Sequence, residues 1–116
     1  MPVRSLGSSV FRWPDAATVD RAVRQWASEV ADRGQADRIG YYGSYARGDW
    51  GVGSDVDIVV VVADSGEPFE RRSLCFDASA LPVPADVVVY TEPEWRALAD
   101  RLVGRRLSRE MVWVYP

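Results

Sequence analysis

Apolar and polar positions along this chain change their period several times, and each change marks an element. Val19, Val23, Trp26, Ala27 and Val30 recur at helical spacing. Asp15, behind Pro14, supplies a cap for the start of that helix, and Gly34 ends it. Ile39 to Tyr42 is a short apolar run that stops at Gly43, which predicts a strand. Ser44 to Trp50 then predicts a short helix, and Gly51 to Ser54 a loop. Asp55 to Ala63 is a strand whose "IVVVV" core lacks alternation, so both its faces should be covered. Pro68 to Ala80 predicts a helix with Pro68 in its first turn, and "LPVP" a stiff connector. Asp86 to Thr91 is another apolar strand. Glu92 to Leu107 predicts one helix, with Trp95, Leu98, Leu102 and Val103 on one side and Gly104 as a mild weakness. "MVWVYP" closes the pattern as an edge strand ending at Pro116, with a partner interface as its second reading. Val3 to Trp13 fits either a strand or an ordered arm. The order of helices and strands predicts α/β, or α+β if the last strand runs antiparallel.

Composition narrows the chemistry more than the fold. The 116 residues suit one domain, spanning 1–116 with 1–13 as the arm. No apolar run approaches the ~20 residues of a membrane span, and the start has no secretory apolar region. A single cysteine, Cys75, fits a reducing cytoplasm and reads as a small buried hydrophobe. The chain has no histidine, which excludes Ser-His triads and histidine bases. It has no lysine either, so all 14 basic side chains are arginines, which bind phosphate bidentately. Catalysis must then use carboxylates, hydroxyls, arginine, backbone amides or a metal. The net charge of −3 argues against broad nucleic-acid binding.

One stretch concentrates what remains: "YYGSYARGDWGVGSDVDIVVVV", from Tyr41 to Val62. Strand, then Gly43-Ser44, then helix is an arrangement that binds phosphate. Gly43 lets the backbone approach a ligand, the free amides at the helix start favour an anion, and Ser44 adds a hydroxyl. A serine cap on an ordinary turn is the plainer reading of that pair alone. Arg47, one turn on, either faces the same anion or pairs with a neighbouring acid. Asp55 and Asp57 project to one side of a strand, roughly 6–7 Å apart along it. Two bare carboxylates there repel, and a divalent cation removes the problem; oxygen ligands beside a phosphate are the habit of Mg²⁺. Asp86 begins the next apolar strand and would bring a third carboxylate if the strands are neighbours. Two Mg²⁺ ions held by the three could position a nucleotide for in-line displacement.

"YGSYARG" followed by "SDVDIVV" resembles the minimal nucleotidyltransferases of the DNA polymerase β superfamily, and the resemblance extends from about Asp15 to Tyr115. It implies a small mixed sheet flanked by helices. It implies transfer of a nucleoside monophosphate from an NTP, usually ATP, to an acceptor hydroxyl. Gly43 and Ser44 would hold the triphosphate, Asp55 and Asp57 would bind Mg²⁺, and Asp86 would be the third carboxylate and the base for the incoming hydroxyl. Many small members are antitoxins that silence a HEPN-type ribonuclease toxin by adenylylating a tyrosine near its active site. Two other readings stay open: a stand-alone transferase acting on a small molecule such as an aminoglycoside, and a non-catalytic module that binds a partner. The chain is short of material for a small-molecule pocket of the usual ~300 Å³ or more, which favours a protein acceptor. A homo-oligomer also stays open.

The remaining features read as packing or solvated surface. Tyr41 and Tyr45 suit aromatic packing better than nucleotide stacking. Asp49 reads as a solvated loop acid. Arg101, Arg105, Arg106 and Arg109 form a solvated face at a helix C-terminus, or else a docking patch for an acidic partner.

Overall fold

The computed structural model describes residues 13–116. The expectation for Val3 to Trp13 therefore lies outside the described residues except at Trp13. The architecture is α+β: a four-stranded mixed sheet with helices on both faces.

Helix α1 spans Ala16–Asp32, and Asp15 caps it by accepting from the Thr18 amide at 2.9 Å. Its apolar stripe is buried as the spacing predicts: Val19, Val23, Trp26, Ala27 and Val30. Strand β1 (Arg38–Tyr42) leads through Gly43 into α2 (Ser44–Arg47), and β2 covers Val56–Val62. A 3₁₀ helix runs over Phe69–Cys75, and β3 covers Ala85–Thr91. Helices α3 (Glu92–Ala99) and α4 (Leu102–Glu110) precede β4 (Val112–Tyr115).

The strand order is β3-β2-β1-β4, with β2 and β3 parallel and the other two pairings antiparallel. Strand β2 is therefore central. Val56, Ile58, Val59, Val60 and Val61 are each 1% exposed or less, which is why its sequence lacks alternation. One sheet face, with Ile39, Tyr41, Ile58 and Val60, packs on α1. The other, with Val59 and Val61, packs on Trp95, Leu98, Leu107, Met111 and Trp113. Because side chains alternate, Asp57 shares this second face with Val59 and Val61.

Three expectations are corrected. The stretch from Pro68 to Ala80 is not an α-helix: a 3₁₀ helix ends at Cys75 and turns follow. Its buried member is Arg72, while Leu74 is exposed, so the segment has no apolar stripe to hold an α-helix against the sheet. Cys75 is exposed rather than buried. The helix expected from Glu92 to Leu107 is broken at Asp100 and Arg101. Gly104 allows that break, because a Cβ there would overlap the Leu98 carbonyl. What looked like a weak point is the contact on which α4 folds back against α3. The bend turns Leu102 and Val103 outward, away from the side shared by Trp95 and Leu98.

Candidate active site

Strand β1 ends at Gly43, whose φ of 87° lies in the region L side chains avoid. A Cβ at this position would run into the Asp57 carboxylate, so glycine is required on steric grounds as well. The backbone at the turn thus passes directly against the acid on the neighbouring strand. Helix α2 is shorter than the sequence predicts. It stops at Arg47 because Gly48 adopts a left-handed conformation, and Trp50 lies beyond it. A single turn carries little of a helix dipole. The donors gathered at the turn are the Gly43 amide and the Arg47 guanidinium.

Asp57 stands directly opposite Asp86 in the parallel β2–β3 register, so the two strands hold these residues roughly 4.8 Å apart in the backbone. Tyr42 lies opposite Asp57 on the other side, across β1. Burial pushes the Asp57 carboxyl above its ordinary value, and the charges of Asp86 and Asp55 push it further the same way. Tyr42 is raised too, first by burial and then by Asp57.

A cavity of about 660 Å³ is lined by Tyr42, Gly43, Ser44, Arg47, Asp55, Asp57, Val103, Arg106, Leu107 and Glu110. It gathers five of the six residues singled out in the sequence. The sixth, Asp86, lines a second cavity of about 680 Å³ with Ser73, Phe76, Ser79, Leu81, Val83 and Val87 among its walls. Asp57 thus lines one cavity, and Asp86, its neighbour in the strand register, lines the other. Room for a small molecule is present after all, which corrects the expectation drawn from chain length. Among the described residues, no three His, Cys, Asp or Glu side chains form a ready-made metal cluster.

Arg47 pairs with neighbouring acids while it lines the cavity. Its Nε donates to Asp49 at 3.0 Å and its NH1 to Glu110 at 3.0 Å. Asp49 is therefore an ion-pair partner rather than a merely solvated acid. Glu110 was not visible as a site residue in the sequence. Its Oε1 accepts from the Gly43 amide at 2.7 Å as well as from Arg47. The only sequence signal was one acid after a run of arginines, immediately ahead of an apolar strand. Tyr41 and Tyr45 pack as expected: the Tyr41 hydroxyl donates to Asp20 at 2.7 Å, and Tyr45 stacks on Trp50 at 5.5 Å.

A family model described as a nucleotidyltransferase domain matches residues 23–109. The fold is similar to the crystal structure of a "putative nucleotidyltransferase" from Sulfolobus solfataricus. That match has a TM-score of 0.60 and 20% identity, and it covers 84% of this chain and 80% of the other. At that identity the likeness concerns the fold. A search of curated proteins finds no match. Among the described residues, no helix is long and apolar enough to cross a membrane.

Proposed function

We propose that this chain, which belongs to the nucleotidyltransferase domain family, transfers AMP from ATP to an acceptor hydroxyl with the help of Mg²⁺. The observation that carries this reading is the pair Asp57 and Asp86. They face each other across parallel strands, beside a glycine turn that leaves no room for a side chain, and Asp57 is raised by burial and then by like charges that a cation would offset.

The residues fit a hard cation: the acids of the site offer carboxylate oxygens, and the cavity lining holds no soft or imidazole ligand. Asp55 and Asp57 would hold it, with Asp86 as the third carboxylate. When bound, Mg²⁺ would neutralise charge on the phosphates and on the departing pyrophosphate. Gly43, Ser44 and Arg47 hold the triphosphate through the turn amides, the hydroxyl and the guanidinium. Asp86 takes the proton from the acceptor hydroxyl. The acceptor oxygen then bonds to the α-phosphorus, the bond to the bridging oxygen breaks, and pyrophosphate leaves.

The acceptor proposed is a tyrosine on a HEPN-type ribonuclease toxin, which makes the chain an antitoxin. Leu102 and Val103, 73% and 71% exposed at the start of α4, offer an apolar rim for a large partner. A small-molecule acceptor is favoured by a different observation, the cavity of about 680 Å³ beside Asp86. Incubation with ATP labelled at the α-phosphate, Mg²⁺ and host lysate separates the two, with an aminoglycoside panel in parallel. A labelled protein band absent with Asp57→Ala supports the antitoxin. Label on a small molecule supports the second reading, and label on neither contradicts transfer.

A further inference from the structure

Glu110 is the last residue of α4, and its carboxylate lies inside the cavity shared by Gly43, Arg47, Asp55 and Asp57. One oxygen, Oε1, takes the Gly43 amide at 2.7 Å and the Arg47 guanidinium at 3.0 Å. A carboxylate oxygen that accepts from a backbone N–H and an arginine together presents the same chemistry as a phosphate oxygen. It does so in an already acidic place, and Glu110 adds to the repulsion on Asp57. The contact links residues 63 positions apart in the chain.

We propose that Glu110 occupies the phosphate seat of the nucleotide-free protein, and that only a polyphosphate displaces it. The proposal rests on the reading of Gly43 and Arg47 as triphosphate donors. An orthophosphate ion would exchange one anion for another at the same two donors and gain little. A triphosphate brings further oxygens and further contacts, so it wins the exchange. Glu110 thereby acts as a specificity-determining residue for the polyphosphate chain. Its side chain is 29% exposed, so rotation of the side chain alone can clear the seat. Arg106, one turn back on α4, lines the same cavity and can receive the displaced carboxylate.

Calorimetric titration of the full chain with magnesium tripolyphosphate and with orthophosphate, at fixed ionic strength, tests this. Glu110→Gln removes the charge. Glu110→Asp keeps the charge but shortens the reach to both donors. Both variants should bind tripolyphosphate at least about fivefold tighter than wild type, the scale of one charge-assisted contact, and both should gain measurable orthophosphate binding. Arg47→Ala should weaken tripolyphosphate binding. If Arg47→Ala weakens binding while neither Glu110 variant tightens it, the seat stands and the displacement idea is wrong. Tightening in Glu110→Gln alone would mean repulsion at a distance rather than occupancy, and would also overturn the proposal. If Arg47→Ala leaves tripolyphosphate binding unchanged, or wild type and variants all fail to bind it, the seat itself is misassigned.

Discussion

Strand β3 has a carboxylate site near each end, and the two have opposite electrostatic surroundings. Just past its C-terminal end, Glu94 closes a capping box with Thr91 and takes the Arg72 guanidinium at 2.6 Å. Arg72 also donates to the Val89 and Glu67 carbonyls, so each nitrogen of this largely buried cation has a partner. These bonds, the one from Arg72 foremost, hold the Glu94 carboxyl down to about 2. At the N-terminal end, Asp86 faces Asp57 on the neighbouring strand. There burial and like charges drive the Asp57 carboxyl upward, and the guanidinium that opposes this, Arg47, is shared with Asp49 and Glu110. Both sites hold carboxylates, one at each end of the same strand. One is electrostatically complete and serves the fold. The other leaves negative charge uncompensated in an open cavity, a cost that makes sense if a cation and a phosphate chain enter there.

The sharpest way to separate the two ends is to remove one acid from each. Asp57→Asn should abolish nucleotidyl transfer, by roughly a thousandfold or more, the scale of groups that hold transition-state charge. Labelled AMP transfer measures it; activity within tenfold of wild type would break the comparison. Arg72→Met attacks the other end. It leaves buried acceptors unsatisfied and should lower stability by about 2–3 kcal/mol in a urea melt, because a buried charge network loses one partner. Nucleotide affinity of the folded variant should be unchanged. A shift of affinity with Arg72→Met would join the two ends into one site.

The same comparison explains what could be read from the sequence. Helix α1 and strands β1, β2, β3 and β4 lie within two residues of their expected bounds, because their apolar periods are strong and little competes with them. The stretch 68–80 misled because its buried residue is an arginine, and a buried charge leaves no hydrophobic period. Helices α3 and α4 read as one in the sequence because a lone glycine weakens a helix only slightly, whereas Gly104 marks a contact with Leu98. At the candidate site, Gly43, Ser44, Arg47, Asp55 and Asp57 are close in sequence and legible together. Glu110 reaches them only through the return of α4 across the sheet, so no local pattern announced it.

Smaller effects appear as pH dependence, with opposite signs at the two ends. The folded-state value of Glu94 is depressed. Its contribution to stability is therefore present above its ordinary value of 4.5 and is lost as pH falls towards about 2. Arg72→Met should flatten the stability curve over that interval. Asp57 is raised instead, so its ionisation costs stability as pH climbs through the raised value, and costs nothing below the ordinary value of 3.8. In metal-free buffer, Asp57→Asn should accordingly melt higher than wild type at pH 7 and no higher at pH 3. Equal melting of the two proteins at pH 7 would remove the repulsion on which the comparison depends.

The uncompensated end of β3 should accept a divalent cation. Thermal melting of wild type and Asp57→Asn, each in EDTA and in excess Mg²⁺ with ATP, tests it most directly. Mg²⁺-ATP should raise the melting temperature of wild type by several degrees, as any ligand specific to the folded state must. Asp57→Asn should start higher in EDTA and gain little from Mg²⁺-ATP. A variant that melts lower than wild type in EDTA, together with a wild type indifferent to Mg²⁺-ATP, would contradict the account and make Asp57 a structural residue.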